Sequence, residues 1–404
     1  MKIAHLVDCK IIGGVERYFT DFVSFNNNGV KHSIITKSGS NPLLAQKLSS
    51  SSEFIYSLRH IGNIKLPKYL RSFKEKYVIS KMKTIDPDLW LVWNMFPSAN
   101  LRSNILNYKS IYYERGKAWW SKKILNKENK EFLDNVDVII CNSYASKRML
   151  ELKCNVLNKN IFVCHNALRP SCKPNKVETK SIENKKIFKI GIAGRQESFK
   201  GFPLVLHSLK ILKKRGIPIK LYVAGTGTKL EELKKLFLQL QLGNDDVFFL
   251  GLVNDMKQFY SKIDLFICPS LREPFGLVTI EAMAHGCPVI VAGVDGLYEV
   301  VKDTNAGFII QPTTDINYYP TFGGSTDFLM KYDYVYDPFT DSVIIPKFIQ
   351  PSEIADEVER LWNNPIKFEE MSSNAIESVN KKFDYNKYLE NINIIINKLI
   401  KDEH

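Results

Sequence analysis

The chain has no stretch approaching the roughly 18–20 consecutive apolar residues of a membrane-spanning helix. Its first residues, "MKIAHLVDCKIIGG", read as a short strand rather than a signal peptide, so the expectation is a protein kept in the cytosol. Cysteine is sparse and scattered, with seven residues at positions 9, 141, 154, 164, 172, 268 and 287 and no C-x-x-C pair. That excludes a disulfide scaffold or zinc framework and leaves reduced core thiols. No His, Asp and Glu group has metal-ligand spacing, and the D-x-D string at 86–88 precedes a hydrophobic run like an ordinary helix-to-strand turn. Acid is scarce in one half only. Residues 1–180 carry 30 Lys and Arg against 14 Asp and Glu, a balance of +16, whereas residues 181–404 carry 26 against 29, a balance of −3. Such asymmetry points to an anionic partner for the first half: a membrane surface, a nucleic acid or an acidic polymer.

What is present is ordinary globular composition, 45% hydrophobic and 25% charged over 404 residues, a length at which two domains are expected. Short apolar runs at 2–7, 31–36, 88–93, 110–114, 137–142 and 161–166 alternate with stretches of helical period. The theme restarts at 188–194, 219–225, 247–251, 265–270, 288–293 and 306–310. This pattern predicts α/β architecture with two doubly wound, Rossmann-like domains facing across a cleft, ligands lying at the carboxyl ends of the strands. The boundaries are 1–170, a polar linker at 171–186, and 187–384, with a helix at about 385–404 packing back on the first domain. Residues 312–350 lack clear periodicity and form an expected insertion, for substrate contact, packing or dimer contact.

Two constellations carry chemistry. In "GIAGRQESFKGF" a strand ends at Gly194, followed by Arg195 and then Lys200 before a helix. A planar fork, a point charge and a helix N-terminus suit a diphosphate, although solvated loop cations are an equal reading. In "SLREPFGLVTIEAMAHGCPVIV", Glu273 lies in a loop and Glu281 in the following helix, with Gly276 allowing close backbone approach. Such a pair of acceptors fits sugar hydroxyls better than metal.

Taken in order, "GRQESFKG", "AGTG" at 224–227, "FLGLV" at 249–253 and "EPFGLVTIEAMAHGCPVI" resemble glycosyltransferase family 4, retaining enzymes of the GT-B fold among the glycosyl transferases group 1. The resemblance is close over about 190–310 and looser elsewhere. It implies that Arg195 and Lys200, with Gly194 and Gly225 at neighbouring strand ends, meet the donor diphosphate. It implies that Glu281 binds ribose, that Glu273 binds donor-sugar hydroxyls, and that backbone N–H groups of Phe275, Gly276 and Leu277 meet sugar or phosphate. Leu252 and Val253 would line the base pocket, and Gly13 and Gly14 would form the glycine loop facing phosphate and acceptor. A nucleoside-diphosphate sugar would be the donor substrate, with no separate cofactor and no metal.

The family usually has a His near the end of the strand "SIYYERG", where this chain has Glu114 and Arg115. Glu114 could orient or deprotonate an acceptor hydroxyl and Arg115 could meet an anionic acceptor or phosphate; the alternative is a structural ion pair. His165 and His285 read as structural. In residues 65–85, Leu66, Leu70, Phe73, Tyr77 and Met82 fall near one helical face among lysines, and "GKAWWSKK" at 116–123 adds paired tryptophans. Both suit an anionic membrane surface or plain packing. The expected function is retaining transfer of a sugar to a hydroxyl of a glycan or lipid-linked acceptor, in surface polysaccharide or lipopolysaccharide biosynthesis, at the cytoplasmic membrane face. The rivals are a sugar-nucleotide isomerase on the same scaffold and a basic nucleic-acid-binding protein, though no nucleic-acid motif interleaves the lysines.

Overall fold

The computed structural model describes residues 1–10, 13–26, 29–38, 41–61, 64–121 and 126–401. They form two compact units, residues 1–165 with 386–404, and residues 166–385.

The first unit is built on a parallel sheet of β1 (Lys2–Val7), β2 (Lys31–Thr36), β3 (Phe54–Ser57), β4 (Leu89–Trp93), β5 (Ser110–Glu114), β6 (Val138–Cys141) and β7 (Ile161–Val163), in the order β3-β2-β1-β4-β5-β6-β7. Central strands such as "LWLVW" are apolar on both faces because helices cover both, which makes them legible as continuous runs. β3 was not expected. It is a four-residue edge strand with Phe54 and Ile55 exposed, so burial imposes no pattern on it. The helix Gly14–Phe25 buries Tyr18, Phe19, Phe22 and Val23, and the rings of Phe19 and Phe22 meet Trp93 edge-on at 5.1 and 5.2 Å. Each such side chain contributes about 1.5–3 kcal/mol of burial.

The helix Lys68–Ile85 and the residues before it divide the face expected at 65–85: Leu66 and Met82 are buried, while Leu70, Phe73 and Tyr77 face solvent; beyond that face Val78 is buried and Tyr69 exposed. Asp86 ends it in left-handed conformation, φ 49°, its N–H donating to the Met82 carbonyl at 2.8 Å, and Asp88 accepts from the Lys2 N–H at 2.7 Å. The D-x-D string is thus a helix stop and strand tie. The helix Tyr385–Lys401 supplies Tyr388 to the first unit's core, where its ring meets Tyr18 edge-on at 5.1 Å. Residues 402–404, part of the expected C-terminal helix, and Lys122 and Lys123 of the Trp-Lys segment lie outside the described residues.

The second unit carries a parallel sheet of β8 (Phe188–Ala193), β9 (Ile219–Ala224), β10 (Val247–Gly251), β11 (Leu265–Cys268), β12 (Val289–Ala292) and β13 (Gly307–Ile310), ordered β10-β9-β8-β11-β12-β13. Strand order reverses between β8 and β11, and ligands of such sheets bind outside the carboxyl ends at that point. Residues 171–186 fall within this unit, with Cys172 and Ile182 buried. Residues 312–350 hold 3-10 turns at Ile316–Phe322 and Asp327–Met330 and a hairpin of Val335–Asp337 with Ser342–Ile344. Elements this short show no period, yet the segment buries Tyr319, Phe328, Tyr336 and Phe348. Among the described residues no helix is long and apolar enough to cross a membrane.

Candidate active site

Loops leaving β8, β9 and β11 converge at the reversal point, and glycines set their spacing. Gly225 has φ 116°, and a Cβ on it would lie 2.0 Å from the Gly194 carbonyl oxygen. Gly201 has φ 71°, and its Cβ would lie 2.2 Å from the Pro269 carbonyl oxygen, so the loop after β8 rests on the loop after β11. Only glycine allows both the dihedral and the approach.

This contact brings Lys200 to Glu273, with Nζ 2.5 Å from Oε2 and both side chains largely buried. Arg195 is exposed at the end of β8 and pairs with no acid among the described residues. The Glu273 N–H donates to Asp295 Oδ2 at 2.9 Å, and the other Asp295 oxygen accepts from the Tyr336 N–H at 2.7 Å. Asp295 is fully buried. It ties the Glu273 loop to the hairpin of the insertion.

The helix Leu277–Ala284 follows Gly276, whose φ of 99° turns the chain into it. Phe275 points into the core against Phe383, so it offers a ligand its backbone only. Glu281 is buried in the helix and enclosed by donors: Tyr260 Oη reaches Oε2 at 3.0 Å, while Cys172 Sγ and Arg169 Nη2 reach Oε1 at 3.3 and 3.4 Å. Burial, reinforced by the Glu281 charge, pushes the Cys172 thiol up to about 12, so it remains a donor. Leu252 is exposed and Val253 packs partly on the core. His285 holds the Glu281 carbonyl through Nδ1 at 2.8 Å, and burial lowers its pKa.

In the first unit, Gly13 and Gly14 open the helix Gly14–Phe25, and the Gly13 N–H donates to Glu16 Oε2 at 2.9 Å. Ile11 and Ile12 of that loop lie outside the described residues. Glu114 corrects the expectation placed on it. It is fully buried; Oε1 accepts from the Gly116 and Ala118 N–H groups at 2.5 and 3.1 Å and Oε2 from Tyr112 Oη at 3.1 Å. Burial raises its pKa against these hydrogen bonds. A carboxylate so enclosed shapes the turn after β5 and does not present itself to an acceptor hydroxyl. No group of three or more His, Cys, Asp or Glu among the described residues could hold a metal ion.

Residues 175–318 match the family model of the glycosyl transferases group 1. That segment is a group 1 glycosyl transferase domain. An uncharacterized glycosyltransferase of Methanocaldococcus jannaschii is 38% identical over 122 residues, 30% of either chain. The lipopolysaccharide core biosynthesis glycosyltransferase LpsE of Rhizobium meliloti is 24% identical over 77% of this chain and 84% of its own. The crystal structure of Anabaena HepE in complex with UDP and glucose superposes with a TM-score of 0.73 at 18% identity, covering 98% of this chain and 99% of that one, a likeness of fold. Its GT-B architecture is the one expected: two parallel-sheet, Rossmann-like α/β domains.

Sequence reasoning missed the group that surrounds the acids. Tyr260, Arg169 and Cys172 enclose Glu281 from more than 20 residues away, and Asp295 follows β12 with no motif of its own. Two of the three Glu281 donors sit where a bare linker was expected to begin or had just ended the first domain. Polar composition there hid a buried contact.

Proposed function

We propose that the chain is a retaining glycosyltransferase that moves one sugar from a nucleoside-diphosphate donor to a hydroxyl of a glycan or lipid-linked acceptor. The observation that carries the reading is the exposed Arg195, paired with no described acid, in the same loop after β8 that brings Lys200 to Glu273 of the loop after β11. As the glycosidic bond loosens, charge grows on the leaving diphosphate, and a guanidinium and an ammonium stabilise it there. Lys200 turns from Glu273 to phosphate when the diphosphate binds, which frees Glu273 for donor-sugar hydroxyls. Glu281 takes the ribose hydroxyls, held by Tyr260, Arg169 and Cys172. Backbone N–H groups of Gly276 and Leu277 add to the anion site, and Leu252 and Val253 flank the base. Front-face attack by the acceptor hydroxyl fits a site in which neither acid is placed as a covalent nucleophile. The reaction needs no metal in this reading.

LpsE suggests lipopolysaccharide or surface polysaccharide biosynthesis as the setting, and HepE with UDP makes uridine the first base to test. The solvent-facing Tyr69, Phe73 and Tyr77, with Lys74 and Lys81 over the Tyr77 ring at 5.2 and 5.5 Å, support peripheral contact with an anionic membrane at its cytoplasmic face. A thermal-shift screen with UDP, GDP, ADP and CMP sugars tests the donor reading: one nucleoside-diphosphate class raises the melting temperature with chelator present. Absence of any shift rejects it.

A further inference from the structure

In the second unit an open groove of about 510 Å³ lies between the helix Phe202–Lys214, the end of the helix Leu230–Gln239 and the start of the helix Pro351–Trp362. Small-molecule sites occupy about 300–1,000 Å³, so its size suits one. The first of these helices starts directly after Gly201 and rises about 1.5 Å per residue, which puts Lys210 and Lys214 about 12 and 18 Å along it from the loop that carries Lys200. The groove is therefore separate from the site at the carboxyl ends of β8 and β11.

Lys210 and Lys214 stand one turn apart on one helix face, and both line the groove. Neither forms an ion pair with a described acid, and none of the residues lining the groove is an acid. The charges around them are matched. Lys213 meets Asp246 at 2.6 Å, Arg215 meets Asp356 and Glu359 at 2.8 and 2.7 Å, and Glu353 accepts the Gln350 N–H at 2.6 Å. Two ammonium groups at this spacing repel each other, and an oxyanion between them relieves that repulsion.

His207 lines the same groove one turn before Lys210. Its ring is fixed, donating to the Phe322 carbonyl and meeting the Phe322 ring edge-on at 5.2 Å. Nε2 is buried and has no hydrogen-bond partner. Burial lowers the pKa of the ring and keeps it neutral, so Nε2 carries a lone pair that needs a donor. A hydroxyl supplies that donor and a bare oxyanion does not. Along the rim, Gln239, Gln241 and Ser352 add exposed amide and hydroxyl groups, while the half-buried Ile211, Leu240 and Phe322 give an apolar floor. Polar edges over an apolar floor match a sugar ring, which has hydroxyls at its rim and C–H groups on its faces.

We propose that this groove is a second ligand site, for a sugar that carries an oxyanion, either phosphate or carboxylate, with the anion between Lys210 and Lys214 and a ring hydroxyl donating to His207 Nε2. The site does not depend on the transferase reading.

The test titrates the full chain by calorimetry with glucose 6-phosphate, with glucuronate and with glucose. An anionic sugar binds, the tighter of the two naming the oxyanion, and glucose binds about tenfold more weakly or worse. K210Q/K214Q, which leaves no buried group unpaired, keeps the wild-type melting temperature and loses about tenfold or more in affinity for that ligand. H207F removes the acceptor and weakens the same ligand several-fold, whereas R195A/K200A binds it as the wild type does. Binding of neither anionic sugar, glucose bound as tightly, or an affinity unchanged in K210Q/K214Q overturns the site. Loss of binding in R195A/K200A moves the ligand to the loop after β8 and overturns it as well, and an affinity unchanged in H207F overturns the hydroxyl contact and with it the assignment to a sugar. Failure of the donor reading is separately visible as absence of nucleoside-diphosphate binding by the wild type.

Discussion

Tyr319 Oη donates to the Ser198 carbonyl at 2.9 Å, so a residue of the aperiodic 312–350 segment holds the turn that carries Lys200. Phe199 in that turn packs edge-on against Phe328 and Tyr332, and Ser198 Oγ donates to Asp327 Oδ1. The insertion is a brace for the turn that carries Lys200. Tyr319→Phe should lower stability by about 1–2 kcal/mol, since it leaves a buried carbonyl without its donor. UDP affinity should fall several-fold with it, while Tyr318→Phe, at an exposed neighbour, should change neither. Equal UDP binding by Tyr319→Phe and wild type in calorimetry would argue against the brace.

Lys200→Ala removes the proposed diphosphate ligand and strands the Glu273 carboxylate that now meets Nζ at 2.5 Å. A charge-assisted hydrogen bond is worth about 1.5–3 kcal/mol, so UDP should bind about ten- to a hundredfold more weakly. Undiminished binding would remove Lys200 from the donor site.

Glu281→Gln tests the proposed ribose contact separately from phosphate recognition. Gln keeps one acceptor oxygen for Tyr260, Cys172 and Arg169 but loses the charge. UDP affinity should drop while inorganic pyrophosphate binds as before, read by competition calorimetry. A parallel loss of both would place Glu281 in maintaining the phosphate loops instead.

Gly201→Ala sets a methyl group 2.2 Å from the Pro269 carbonyl oxygen at a φ of 71°. The loops after β8 and β11 must separate to admit it, which breaks the Lys200–Glu273 approach. The expected result is a melting temperature lowered by several degrees and no measurable UDP binding; Gly216→Ala, whose Cβ meets nothing within 4 Å, serves as the control.

Acid should weaken the first unit through two histidines. Trp93 Nε1 donates to His5 Nδ1 at 3.1 Å, which makes His5 Nε2 the donor to His32 Nδ1 at 2.8 Å, and His32 Nε2 in turn donates to the Asn26 carbonyl at 3.0 Å. Burial lowers the pKa of both, further for His5, where the His32 charge adds to it. The folded state therefore binds fewer protons than the unfolded chain. Stability is full above about pH 6.5 and falls as pH drops below it. Thermal unfolding followed by Trp fluorescence at pH 7.5 and 5.5 should show the loss, and His32→Asn should lessen it while leaving the share of the buried His5.

The central strands of both sheets were legible because they are buried on two faces, and the motifs after β8 and β11 were legible because glycine, arginine and acid stand there at fixed offsets. β3 and the short elements of 312–350 escaped because an edge strand and three-residue strands carry no period. The helix Lys68–Ile85 was legible, but helical spacing cannot tell Met82, which is buried, from Phe73, which is 71% exposed.

What the sequence by itself determined is the two-sheet α/β plan and the glycine-bearing loops after β8, β9 and β11, because local patterning and the dihedral demands of Gly201, Gly225 and Gly276 act within a few residues. Tertiary structure alone decided which charges meet. Glu114 and Arg115 are neighbours in the chain and read together as an ion pair or a catalytic pair. Folding surrounds the first with hydrogen-bond donors and lays the second between two tyrosine rings with buried N–H groups unmatched. Burial and long-range packing set that difference, and neither is written in the residues themselves.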